Sequence, residues 1–103
     1  MTDRVHQDCC LHVVASADEQ ALQDCLRHVA AGDAVVLLDS GVLHLLRSSP
    51  AAHFDGPARV LFAEVDLAAH GLAECARRGG VETVDDAGIC ALLAHCRHSL
   101  TWS

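Results

Sequence analysis

Short apolar segments alternate with amphipathic segments along most of this chain. Residues 11–16 (LHVVAS), 34–38 (AVVLL) and 59–63 (RVLFA) have the length and apolar character of strands. The second and third of these show little alternation, which is typical of strands covered on both faces of a parallel sheet. Residues 81–84 (VETV) and 100–102 (LTW) predict two shorter strands. The pattern therefore predicts five strands.

Apolar residues at helical spacing fill the intervals between these strands. A first helix ends at Gly32, and residues 42–46 predict a second, short helix. Residues 65–78 are helical in composition, and Gly71 is expected to split them into two pieces. A last helix carries Cys96 on its apolar face. Every strand is thus followed by a helix until the last strand closes the chain.

The order β-α-β-α-β-α-β-α-β predicts a three-layer α/β/α sandwich with a mostly parallel sheet of about five strands. A chain of 103 residues is one domain in size. Sites in such sheets form beyond the carboxyl ends of the strands. Those ends contain no GxGxxG, GxxxxGK[ST] or GxSxG, so we expect no nucleotide cradle and no nucleophile elbow.

Charge and hydropathy exclude two classes of partner. Seven basic and fourteen acidic residues give a net charge of −7, which opposes a phosphate backbone, so we expect no direct nucleic-acid binding. No apolar run approaches the roughly 20 residues that cross a bilayer, and the start MTDRVHQD lacks the pattern of a secretory signal. We expect a cytoplasmic protein with no membrane partner.

Six cysteines raise the question of disulfides or metal. A disulfide framework requires a secreted, loop-rich chain, which this sequence does not resemble. Four cysteines fall within or beside helical apolar patterns, where a free cysteine packs as a small hydrophobe: Cys25, Cys75, Cys90 and Cys96. The spacing C-x4-H-C-x-H at residues 90–98 matches no usual zinc site. We expect no metal and no cofactor, and a metal- or redox-responsive module is the weakest of the functional alternatives.

Five residues after the second predicted strand are candidates for a cleft or an interface. His44 and His53 can line a cleft and titrate near neutrality, or lie on a surface or interface. Leu43, Leu45 and Leu46 make the short helix apolar on nearly every side. So small a domain can hardly bury them all, so they favour a contact with another subunit.

Several segments together carry a resemblance to a known family. They are LHVV at residues 11–14, LQDCLR at 22–27, DAVVLLDSGV at 33–42, RVL at 59–61, DLAAHGL at 66–72 and TW at 101–102. In this order and spacing they resemble the DsrH/TusB family, more closely its DsrH branch. The resemblance implies the DsrE/F/H-like fold. It also makes residues 1–10 an expected N-terminal extension, with Cys9 and Cys10 in an exposed tail, and residues 11–103 a single domain.

The resemblance also implies partners. Members of the family assemble with DsrE/TusD-like and DsrF/TusC-like subunits into a heterohexamer that holds two copies of each. The complex relays persulfide sulfur between cysteines to a DsrC/TusE-type carrier. The pathway is sulfur oxidation or, in the TusB branch, tRNA 2-thiouridine synthesis, in which the tRNA is not a ligand of this chain.

Cys25 is the candidate persulfide-carrying or relay cysteine. It matches the L-x-x-C-L setting in which the DsrH branch places a cysteine on the first helix. Sulfur relay requires a thiolate. The same residue also lies in the apolar stripe of that helix, between Leu22 and Val29, where a cysteine packs as core. The chain is therefore either a sulfur-carrying subunit or a non-catalytic structural subunit of the same complex.

Overall fold

Five parallel strands form one sheet in the computed structural model, which describes residues 7–46 and 59–103. The strands are β1 Gln7–Val14, β2 Ala34–Leu37, β3 Arg59–Ala63, β4 Thr83–Val84 and β5 Cys96–Trp102. Their order across the sheet is β4-β3-β2-β1-β5, and every neighbouring pair is parallel. The two edges are therefore the two-residue β4 and the longer β5.

Helices connect all the strands in the described part of the chain. They are α1 Glu19–His28, the 3₁₀ helix η1 Asp39–Leu46, α2 Glu64–Ala69, α3 Ala73–Gly79 and α4 Asp86–His95. Gly71 adopts a positive φ of 71° between α2 and α3, so the predicted split is confirmed. None of the helices described has the length and apolar character needed to cross a membrane.

The strand order assigns the helices to two layers. The chain steps in one direction from β1 to β4 and then returns across the sheet to β5. With right-handed crossovers, α1, η1, α2 and α3 lie on one face and α4 lies on the other. We call these the first face and the second face. The predicted three-layer α/β/α sandwich is confirmed.

Alternation along the strands divides the core into two clusters. On β2, Val35 and Leu37 belong to the first face, whereas Ala34 and Val36 belong to the second. The first-face cluster is the larger and comprises Val14, Leu22, Cys25, Val35, Leu37, Val42, Leu45, Phe62, Leu67, Leu72 and Ala76. The second-face cluster comprises Cys9, Leu11, Ala34, Val36, Leu61, Val84 and Cys96.

The two long strands begin earlier than the sequence predicted. β1 begins at Gln7 because it pairs with the start of β5 at Cys96. Cys96 itself is the extended residue that ends α4, so its predicted place on the last helix is wrong. Cys9 and Cys10 accordingly lie in β1 and not in an exposed tail, and Cys9 is buried. The division into an extension and a domain stays a prediction.

Candidate functional site

Cys25 lies on the side of α1 that faces the sheet. Asp18 begins this helix, with its carboxylate accepting a hydrogen bond from the Gln20 N–H at 3.0 Å. The apolar stripe of α1 then places Leu22 and Cys25 in the first-face cluster. Cys25 has an exposed fraction of 0 %. Its position therefore matches the core-packing alternative of the sequence analysis.

The chemistry of the Cys25 sulfur follows from this position. Burial raises its pKa to about 12, and the nearby groups of Cys10 and Asp33 act in the same direction. Persulfide transfer requires a thiolate that can reach another sulfur atom. At neutral pH the Cys25 sulfur is a protonated thiol without access to solvent.

A buried polar network lies on the first face. It connects β1, the residue that precedes β2, and the end of β5. Trp102, at the end of β5, donates its Nε1–H to His12 Nδ1 at 3.2 Å. Indole is only a donor, so His12 Nδ1 is the acceptor and Nε2 carries the proton. This Nε2–H donates to Asp33 Oδ2 at 3.0 Å. His12 and Asp33 are 1 % and 7 % exposed, so the contact is almost free of water.

Asp33 is the anchor of this network. Its carboxylate also accepts backbone N–H bonds from Cys10 and Ala30, each at 3.0 Å. Burial alone would raise the pKa of Asp33, but these two bonds and the bond from His12 outweigh it, so the pKa is lowered. The carboxylate is therefore ionised at neutral pH and holds the loop after α1 against β1.

The network has no side chain in the position of a nucleophile. Its far end is the indole of Trp102, which also packs against the ring of His28 with centroids 5.1 Å apart. Cys10 contributes its backbone N–H to Asp33 and not its sulfur. Burial raises the pKa of the Cys10 thiol, and the Asp33 carboxylate and Cys9 add to this. The arrangement therefore stabilises the fold, and it does not activate a sulfur atom.

His12, Asp33 and Trp102 were not among the predicted site residues, although each lies in a segment of the family resemblance. One signal was available, because His12 interrupts an otherwise apolar strand and a buried imidazole requires partners. Which partners it has could not be deduced, since Trp102 is 90 residues away along the chain.

η1 lies against the carboxyl end of β1 after a tight turn. Asp39 adopts a positive φ of 52°, and its N–H donates to Asp66 Oδ2 at 2.8 Å. At Gly41 a Cβ atom would lie 2.1 Å from the carbonyl oxygen of Val14, so only glycine allows this approach. His44 follows on η1 and donates its Nε2–H to the Ser16 carbonyl at 2.8 Å.

The candidates around η1 have different environments. His44 is fully buried, so its expected place in a cleft is wrong; His53 lies outside the described residues. Leu45 is buried and Leu43 is half-buried against the first-face cluster. Only Leu46, with 60 % of its surface exposed, remains available for a contact. The expected apolar surface on the described η1 is therefore reduced to one residue, because η1 packs on β2, β3 and α2.

The remaining cysteines separate into buried and exposed positions. Cys96 packs beside Cys9 on the second face, and burial, with the hydrogen bond to Cys9 next, raises its pKa to about 12. Cys75 on α3 and Cys90 on α4 are exposed, so the expectation that both pack in the core is wrong. Cys75 and Cys90 lie on the outer sides of their helices. No group of three His, Cys, Asp or Glu side chains that could hold a metal occurs among the side chains described in residues 9–46 and 59–103.

Comparison with known proteins gives the family. The family model described as DsrH like protein matches residues 15–99, which is most of the chain. The chain belongs to the DsrH-like family. The match extends from α1, which carries Cys25, through α4 and includes the greater part of β5. No curated protein matches the sequence.

Membership of the DsrH-like family confirms the resemblance seen in the sequence. At the level of the family, it makes the chain a subunit of a sulfur-relay complex of the Dsr/Tus type. The five-stranded parallel sheet agrees with that assignment. The place of the DsrH-like chain in such a complex depends on its cysteines.

Proposed function

We propose that this DsrH-like chain is a non-catalytic structural subunit of a cytoplasmic sulfur-relay complex. DsrE/TusD-like and DsrF/TusC-like subunits assemble with it, and a cysteine of a partner passes sulfur to a DsrC/TusE-like carrier. The burial of Cys25, with its raised pKa, carries this proposal. A sulfur atom that is protonated and enclosed can neither attack a donor nor be attacked by a carrier thiolate.

The alternative function keeps Cys25 as a relay cysteine. Its match to the L-x-x-C-L setting of the DsrH branch favours this alternative. For relay, α1 would have to move away from the sheet and expose Leu22 together with Cys25. Both are nearly or fully buried in the larger apolar cluster, so that movement carries a large cost in hydrophobic free energy. The structural role requires no such movement.

The experiment is intact-mass analysis of the co-expressed complex after treatment with a polysulfide donor. Cys75 and Cys90 are exposed and accessible to the donor, so both are first replaced by serine to isolate the contribution of Cys25. The chain with Cys25 is then compared with its Cys25→Ala variant. Persulfide formation adds ~32 Da, and a reducing agent removes it.

The structural role predicts that this chain keeps its mass, while the reducible sulfur appears on a partner. It also predicts that delivery of sulfur to the carrier continues with the Cys25→Ala variant. The relay role is established instead by a reducible gain that the variant lacks, together with loss of delivery. Circular dichroism of both complexes shows that the comparison is made on folded protein.

A further inference from the structure

α4 covers the second face alone and leaves most of its apolar surface in solvent. Ile89 and Leu92 pack against the second-face cluster, but no residue of α4 is buried. Five apolar residues of the helix are exposed: Ala87, Cys90, Ala91, Leu93 and Ala94. Leu93 alone exposes 51 % of its surface. A continuous exposed apolar surface of this kind marks a contact with another protein.

The exposed residues form one surface that a second helix can approach. Ala87, Cys90, Ala91 and Ala94 recur at intervals of three and four residues, so they share one side of α4. Their side chains are short, which allows two helix axes to lie close together. Leu93 borders this side. We call the five residues the α4 surface.

Charged groups of opposite sign border the two ends of the α4 surface. Asp86 is exposed at the start of α4, and Arg97 is exposed just beyond its end. Asp86 and Leu93 are seven residues apart and lie on the same flank of the helix. Arg97 lies on that flank too, because it lines one open cleft with Leu93, Ala94 and Cys96.

Arg97 differs from the other arginines in the described part of the chain. Each of those makes an ion pair within the chain: Arg27 with Asp24, Arg59 with Glu82, and Arg77 and Arg78 with Glu74. Among the side chains described in residues 9–46 and 59–103, none forms an ion pair with Arg97. Its side chain is exposed, and a guanidinium can bind a carboxylate of another molecule by two hydrogen bonds.

We propose that a second copy of this chain docks on the α4 surface, with the two α4 helices antiparallel about a two-fold axis. The axis passes beside Cys90 and Ala91. Cys90 of one copy therefore faces Ala91 of the second copy, and Ala87 of one copy faces Ala94 of the second. A two-fold axis places the same flank of both helices on the same side of the contact. Asp86 of one copy then meets Arg97 of the second, and the same pair forms again by symmetry.

The surface is thus complementary to itself in charge about a two-fold axis, and this favours a second copy as its occupant. α4 has ten residues and is about 15 Å long, so the contact area is small and the association depends on concentration. This contact is independent of the proposed role in sulfur relay. It holds whether or not Cys25 carries sulfur, and its test uses the purified full chain alone.

Sedimentation velocity over a range of protein concentrations gives the first test. We expect the mass to rise from that of the 10.9 kDa chain toward twice that value. Ala91→Glu places two carboxylates at the axis and should leave a monomer. The matched control is Val65→Glu on α2, which is 58 % exposed on the first face and should dimerise like the native chain. A native chain that stays monomeric, or an Ala91→Glu chain that dimerises normally, overturns the proposal.

Charge exchange gives a second test that a folding defect cannot imitate. Arg97→Asp sets two carboxylates against each other at both symmetric contacts and should weaken dimerisation about tenfold. Asp86→Arg should weaken it to a similar extent. The variant with both exchanges recovers most of the native affinity if the two residues pair across the axis. A double variant that is no better than either single one contradicts the pairing.

Cross-linking gives a third test through Cys90. The two Cys90 side chains lie beside the axis, and the oxidant diamide converts two such thiols into a disulfide while it is itself reduced to a hydrazine. We expect a cross-linked dimer from the native chain and from Cys75→Ser, but not from Cys90→Ser. Cys75 is also exposed but lies on α3. A dimer that requires Cys75, or that forms without Cys90, contradicts the geometry.

Discussion

α1 and α4 are both ten residues long, yet they complete their faces of the sheet in opposite ways. α1 buries Leu22 and Cys25 and exposes charged residues such as Arg27. α4 buries none of its residues and exposes alanines and Leu93. The first face is therefore finished within the chain, whereas the second leaves an apolar helix in solvent. A cysteine on the first helix becomes core, and one on the last helix remains available.

The largest predicted difference between the faces is in the cost of removing a leucine. Leu22→Ala leaves a cavity in the first-face cluster and should lower the free energy of unfolding by about 2–5 kcal/mol. Leu93→Ala removes a half-exposed side chain from α4 and should change it by about 0.5 kcal/mol or less. Urea unfolding at a concentration where the chain is monomeric measures both. Equal effects would show that α4 is packed as tightly as α1.

The buried network of the first face should show an intermediate effect. Asp33→Asn keeps the shape but replaces one carboxylate oxygen with an NH₂ group. That group faces either the Cys10 N–H, or the His12 Nε2–H together with the Ala30 N–H, so at least one buried donor loses its acceptor. We expect the free energy of unfolding to fall by about 1–3 kcal/mol at neutral pH. Urea unfolding measures it, and Asp24→Asn on the exposed side of α1 is the matched control. A loss no larger than that of the control would contradict the role of Asp33.

The difference in stability between the native and Asp33→Asn chains has a predicted pH dependence. The pKa of Asp33 is lower in the folded chain than in the unfolded chain, so the folded state binds its proton less readily. Its stabilisation is complete above the unfolded value of about 3.9 and is lost as the pH falls through the folded value. The difference between native and Asp33→Asn chains should therefore shrink below about pH 4. A difference that is constant from pH 7 to pH 3 contradicts this account.

The smallest predicted effect concerns an exposed ion pair at the β4 edge. Arg59 on β3 pairs with Glu82, and this contact raises the pKa of Arg59 and lowers that of Glu82. Both side chains are largely in solvent, so Arg59→Ala should cost no more than about 1 kcal/mol. Unfolding in 1 M salt should remove most of this cost. A cost above that of Asp33→Asn would contradict the ranking.

Periodicity was sufficient for most of the fold. The central strands are apolar runs because both of their faces are covered, and Gly71 divides α2 from α3 by its positive φ. The start of β5 was not predicted, because it is not covered as the central strands are. It is an edge strand whose residues from Arg97 to Leu100 are exposed, so no apolar pattern marks it. The start of β1 was missed with it, since the two starts pair only with each other.

Less of the candidate site than of the fold could be predicted from the sequence. The stripe that holds Cys25 was visible in the spacing from Leu22, but the sequence alone allowed both relay and packing. The decision depends on how closely α1 lies on the sheet, which is a property of the whole first face. The network of His12 depends on contacts between distant segments, and spacing along one segment contains no information on them.

Thiol reactivity of the folded chain tests the central claim most directly. Native protein is treated with iodoacetamide at neutral pH, at a concentration where the chain is monomeric, and peptide masses follow each cysteine over time. Cys75 and Cys90 should be modified within the first samples, whereas Cys25 and Cys96 should stay unmodified until denaturant is added. Modification of Cys25 at the rate of Cys75 would show a sulfur open to chemistry, and the structural role proposed for this subunit would then be wrong.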